Sequence, residues 1–269
     1  MRVPVRLIAA ILGLGAGLAT GPATASLSQL NAKWFVLPFG SSVQPGQTQH
    51  VDVQVSITGT VTGLVNATLG PNGLPVRSSA SASAPATSAA NILDVDSNGQ
   101  ILWWTAGTRT ATRGSTTFTY TVQTDTFWPS IVTLPFSQPS NLFPGGASSN
   151  ADGFLAGHLF GEFDLPSPGS ITLTLGADDD AWVFINGELK VDLGGVKGLT
   201  PAPITVAGLP AGTNRIDVFF ADRHLVQSGL VFGADVTFRP IEVAEPASLA
   251  LLGAGLLGLG FAARRRRDA

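Results

Sequence analysis

The chain has 269 residues, 15 basic and 18 acidic, with 44% hydrophobic residues, 12% charged residues and no cysteine. Without cysteine it has no disulfide staples and no thiol chemistry, so its stability must come from a buried core. Its acidic balance excludes a phosphate-tracking surface for nucleic acid.

Residues 1–25 read as a secretory signal peptide. Arg2 and Arg6 form the positive start, Leu7 to Ala19 the apolar stretch, and Ala23-Thr24-Ala25 a small-residue cleavage site, with the cut between Ala25 and Ser26. At the other end, Ala247 to Ala263 is an uncharged apolar segment followed by Arg264, Arg265, Arg266 and Arg267. Such a segment is expected to form a single membrane-spanning helix with its arginines on the cytoplasmic side. Everything upstream then lies outside the inner membrane. Setting aside Arg2, Arg6, Arg264–Arg267 and Asp268 leaves 9 basic and 17 acidic residues, a net charge of −8. That balance suits calcium, or a neutral or metal-bridged polysaccharide.

Between the ends, short runs alternate apolar and polar residues with period two. They are Val51–Ile57, Thr116–Val122, Ser170–Leu175, Trp182–Ile185, Arg215–Phe220 and Leu230–Phe238. Bounded by Gly, Pro and Asn, they predict half-buried strands. Almost no segment has helical periodicity. The expected fold is all-β, an antiparallel β-sandwich of jelly-roll type. Residues 26–152 form an N-terminal β region, and 153–240 the remaining portion of the sandwich. The Ser/Ala/Pro-rich stretch near 70–90 predicts a mobile loop. Asn186-Gly187, between Trp182–Ile185 and Glu188–Val191, predicts a hairpin with a type I′ turn, and Asn98-Gly99 reads the same way.

Two acidic clusters are candidate calcium ligands. Asp94, Asp96 and Asn98 match the first half of an EF-hand loop, but position twelve is Thr105 and an Asn-Gly hairpin accounts for the same residues better. Asp178, Asp179 and Asp180 stand between two apolar strands. Three adjacent carboxylates repel one another and are relieved by solvent, by backbone N–H groups or by a divalent cation. An acidic triplet on a loop is most often a solvated turn. Asp222, Arg223 and His224 follow the strand 216–220 and would meet the triplet at one rim if that strand pairs antiparallel to Trp182–Ile185. There Arg223 could pair with Asp180 or with a glycan carboxylate. An ordinary surface turn with a local ion pair accounts for them slightly better. Strand alternation sends one of Trp103 and Trp104 inward and the other outward.

Nothing specific supports catalysis. His50, His158 and His224 are scattered, and neither a Gly-x-Ser-x-Gly elbow nor a His-Glu-x-x-His helix occurs. A hydrolase built on Asp178 and Glu162 has no motif behind it.

Two resemblances add to this reading. Glu245-Pro246, the apolar span and the four arginines resemble the PEP-CTERM sorting signal of Gram-negative bacteria, with Ala244 where the signal usually has proline. That implies recognition by an exosortase, transient residence in the inner membrane, removal of residues 244–269 and delivery to the surface or extracellular matrix. Phe163–Val196, with Asp178-Asp179, Ile185-Asn186-Gly187 and Asp192-Leu193-Gly194-Gly195, resembles a fibro-slime domain and the wider protective-antigen-type sandwich of flocculin lectins. The resemblance implies that Asp178 and Asp179, joined by a cis peptide, hold calcium and through it the hydroxyls of a glycan such as exopolysaccharide. Asp180 stands where relatives often have glycine. Asp222, Arg223 and His224, placed by strand pairing and not by the resemblance, are the candidate glycan rim. The alternative is a structural surface protein without a ligand.

Overall fold

The computed structural model describes residues 27–242. The expected signal peptide and membrane-spanning segment lie outside them. Fourteen strands follow in chain order: β1 (Gln29–Leu37), β2 (Val65–Leu69), β3 (Pro75–Arg77), β4 (Gly107–Arg113), β5 (Thr116–Asp125), β6 (Ile131–Thr133) and β7 (Phe136–Gln138) come first. Then come β8 (Phe154–Leu165), β9 (Gly169–Asp178), β10 (Asp180–Ile185), β11 (Glu188–Leu193), β12 (Ala202–Leu209), β13 (Gly212–Ala221) and β14 (Gly229–Ala234). All pair antiparallel.

The ten-stranded sheet runs β3-β2-β11-β10-β13-β8-β1-β5-β4, with β6 beside β1, and the four-stranded sheet runs β12-β9-β14-β7. The two sheets enclose a core of Leu159, Leu173, Val183, Val218, Phe220 and Phe232 among others. Burying such side chains contributes about 1.5–3 kcal/mol each. This is the sandwich expected from the alternating runs.

The opposite face of the large sheet is also covered. Val51, Val53, Ile92, Ile101, Trp103 and Trp104 pack against Phe154, Trp182, Phe184 and Phe219. Consequently β10 is buried at every position, on both faces. The covering layer comes from residues 38–64 and 78–106, which are mostly irregular. Val51–Ile57 is therefore no strand. Its alternating valines drop into the large sheet from a chain of turns, and Gln54 lies at φ 55°. Nor is the stretch 70–90 a bare loop. It holds β3 and a short helix, α1 (Ser79–Ser83), capped at Ser78, whose hydroxyl accepts from Ser81 N–H at 3.0 Å. Leu74, Ser81 and Ala89 are buried there. Trp103 and Trp104 both point inward, because they sit in this covering layer and not in a pleated strand. Their indole N–H groups donate to Asp52 Oδ2 and the Phe220 carbonyl, each at 2.9 Å. Because β1 lies between β8 and β5, strands from 26–152 and from 153–240 share one sheet.

The Asn186-Gly187 turn joins β10 to β11 with φ of 53° and 80°, as a type I′ turn requires. Asn186 also accepts from Arg215 N–H and donates to Asn214 Oδ1. Asn186→Ala should cost about 1–2 kcal/mol, since alanine resists the left-handed region and forms neither bond. A lowered urea midpoint with unchanged m-value would report it.

Candidate metal centre

The two sheets are joined by crossings at one corner. Strand β9 ends in the small sheet at Asp178, and β10 begins in the large sheet at Asp180. Alongside, β13 leaves the large sheet at Ala221 and the chain returns to the small sheet as β14. The registers Asp180↔Ala221 and Gly229↔Asp178 hold the two crossings side by side. Asp222, one step beyond Ala221, thereby comes opposite Asp179. The peptide bond between Asp178 and Asp179 is cis.

Asp178, Asp179 and Asp222 each present a carboxylate oxygen, and the three lie within 4.8 Å of one another. Their exposures are 6%, 1% and 0%. Burial and then the Asp179 charge push the Asp178 carboxyl up to about 7. Asp179 is raised by burial and then by the charge of Asp180, and Asp222 is raised by burial and then by Asp179. Two of the carboxylates are oriented from behind. Asp179 accepts from Arg223 N–H at 2.7 Å and Lys197 N–H at 2.9 Å. Asp222 accepts from Asn150 Nδ2 at 2.8 Å and His224 N–H at 3.2 Å. Three converging, mutually repelling carboxylates withdrawn from water form a group able to hold a metal ion. Their hard oxygens suit calcium, which fills a shell of six to eight such donors.

Asp180 is not part of this group. It turns away to Arg223, with Nε at 2.7 Å from Oδ2, and also accepts from Gly195 N–H at 2.6 Å. Both partners of the ion pair are fully buried. Burial works against the Arg223 charge, but Asp180 outweighs it and holds the guanidinium above its usual value. Arg223 also donates to the Ala89 carbonyl at 2.8 Å and lies over the Trp103 ring at 4.9 Å. It thus pins the covering layer to the corner instead of facing a ligand. His224 is held with Nδ1 2.8 Å from the Val55 carbonyl. Of the three expected rim residues, Asp222 joins the carboxylate group, Arg223 takes the pairing with Asp180 that the sequence also offered, and His224 binds backbone. The signal was the register, since antiparallel pairing of 216–220 with 182–185 brings Asp222 to Asp179.

Asp94, Asp96 and Asn98 do not converge. Asp94 is buried between His50 and Arg109, each 3.0 Å away. Burial raises its pKa, but bonding and charge from His50, then Arg109, more than offset this and leave it below the ordinary range. Asp96 accepts from Asn98 N–H, Gln100 N–H and the Gln100 amide, closing the turn.

Residues 242–267 match the PEP-CTERM protein-sorting motif. The match includes Glu245, Pro246 and the four arginines. The motif is that of an exosortase-sorted protein, exported, anchored transiently in the membrane and passed to the cell surface. Among the described residues no helix is long and apolar enough to cross a membrane. Protein psiR of Dictyostelium discoideum is 40% identical over 65 residues, 23% of this chain and 6% of psiR. Protein psiB of the same organism is 42% identical over 64 residues, 23% of this chain and 12% of psiB. The chain therefore spans only a small fraction of these curated relatives. The PA14 sugar-binding domain from RTX adhesin superimposes with a TM-score of 0.31 at 12% identity, covering 80% of this chain and 94% of that domain.

Proposed function

We propose that this is a surface or extracellular-matrix protein of a Gram-negative bacterium that binds exopolysaccharide through calcium held by Asp178, Asp179 and Asp222. The observation that carries the reading is the convergence of three almost fully buried carboxylates at the sandwich corner. A cation offsets their repulsion and leaves coordination positions for hydroxyl oxygens of a sugar. The protein's own part is to fix Asp179 through Arg223 N–H and Lys197 N–H and Asp222 through Asn150, and to bury all three carboxylates. The resemblance to fibro-slime and flocculin-type sandwiches supports the same reading. Exosortase is the processing partner, and the inner membrane a transient one.

Retention on immobilised exopolysaccharide, with calcium and with excess EDTA, tests this. Binding should require calcium and disappear in Asp178→Asn/Asp179→Asn. Retention indifferent to both chelator and substitution would instead mark a packing and spacing role in the matrix. Turnover of the polysaccharide would overturn both readings.

A further inference from the structure

Phe127 is the large aromatic side chain left most open among the described residues, at 62% exposure. Ordinarily such a ring would swing freely. Here it is fixed. The tip of the ring, Cζ and both Cε atoms, lies against Gly146, where a Cβ would come within 2.3 Å of it. Its backbone N–H donates to Asp125 Oδ1 at 2.8 Å, and the other oxygen of Asp125 accepts from Gly145 N–H at 2.6 Å. One carboxylate thus ties the Phe127 segment to the turn beneath it. Trp128 meets the ring edge-on at 5.4 Å and is itself anchored by its indole N–H to the Phe143 carbonyl at 2.9 Å.

The ring stands at the edge of a groove of about 610 Å³, within the range of ligand sites. The groove is also lined by Ser41, Gln44, Gln123, Thr124 and Thr126. Hydroxyls and amides of this kind both donate and accept. No lysine, arginine or histidine lines the groove, and Asp125 and Asp152 do, so an anion would be repelled. A rigid aromatic face beside neutral hydrogen-bonding groups fits an uncharged sugar, whose C–H face stacks on the ring while its hydroxyls reach the amides.

The geometry points to a second binding site on this protein, the Phe127 groove, which takes a neutral polysaccharide chain without a metal ion. It is separate from the carboxylate corner, yet the two are joined. Asp152 lines the groove and accepts from Ser41, while Asn150, two residues before it, donates to Asp222. The groove does not depend on calcium being bound there.

The test uses the full-length chain in excess EDTA with Asp178→Asn/Asp179→Asn as background, so that failure of the metal site leaves it intact. The probes are hexasaccharides of β-1,3-linked glucose, β-1,4-linked glucose and β-1,4-linked N-acetylglucosamine, followed by calorimetry. At least one should bind. Phe127→Ala should weaken it by about tenfold or more, while Phe127→Trp, which keeps a stacking face, should retain it. The melting temperature of Phe127→Ala should be unchanged, since the ring is exposed. No binding by any of the three, equal binding by Phe127→Ala, or equal loss in Phe127→Trp would overturn the proposal.

Discussion

Asp180→Ala should destabilise the fold by about 3–5 kcal/mol, because it strands a buried guanidinium without its carboxylate. For a chain of this size that is a fall in melting temperature of roughly 10 °C. Arg223 keeps its bonds to Ala89 and its place over Trp103, but one of its nitrogens, Nη2, already lacks a partner. The reverse change, Arg223→Met, should cost a similar amount by stranding Asp180. Together, Asp180→Ala and Arg223→Met should cost clearly less than the two single losses added, because neither charge is then left alone. Asp222→Asn supplies the contrast. It removes one of three repelling carboxylates but can keep only one of the bonds from Asn150 and His224 N–H, so its calcium-free loss should stay well below that of Asp180→Ala. Additive losses in the double variant, or a loss in Asp222→Asn as large as in Asp180→Ala, would show that the two aspartates do not differ in this way. Denaturant melts in EDTA read all four variants.

That contrast also marks what could be read from sequence. Strands β9 and β13 were legible because alternate residues face the inter-sheet core, and β10 as a short apolar run ending at Asn186-Gly187, which fixed the β10–β11 hairpin. The acidic triplet was legible as a cluster but not as a division of labour. Adjacent side chains look equivalent in a sequence, whereas here the chain passes between sheets at Asp178-Asp179 and sends Asp180 the other way, into the covering layer. Asp222 lies 43 residues beyond Asp179 in the numbering and joins it only through strand register. The covering layer itself was illegible. Its valines and tryptophans carry strand-like patterning, but they bury themselves by dropping from turns onto a sheet already formed. That arrangement has no period to detect. The Asn98-Gly99 turn was legible, but the role of Asp94 beside it was not. Its partners His50 and Arg109 lie far away in sequence, and their pairing depends on the packing of that layer.

Calcium should stabilise the protein by about 2.7 kcal/mol at a concentration one hundredfold above its dissociation constant, and the gain should grow with pH. The sign follows from the carboxyls. The Asp178 carboxyl is raised in the folded chain to about 7 from 3.8, first by burial and then by Asp179. The unfolded chain gives up this proton first. The group's favourable contribution is therefore complete below about pH 3.8 and is lost as pH climbs toward 7. In EDTA, wild type should lose stability relative to Asp178→Asn across that window, at up to about 1.4 kcal/mol per pH unit. The comparison with Asp178→Asn matters because His158 works in the opposite direction. Burial lowers its pKa, so it costs stability as pH falls below about 6.5, equally in both proteins. Saturating calcium keeps the carboxylates charged and paired, which removes the penalty at high pH. The calcium-induced rise in melting temperature should thus be larger at pH 8 than at pH 5.5 and absent in Asp178→Asn/Asp179→Asn. Thermal melts at the two pH values, with calcium and with EDTA, supply the comparison. An equal calcium shift at both pH values, or one that survives the double substitution, would remove Asp178, Asp179 and Asp222 as its source.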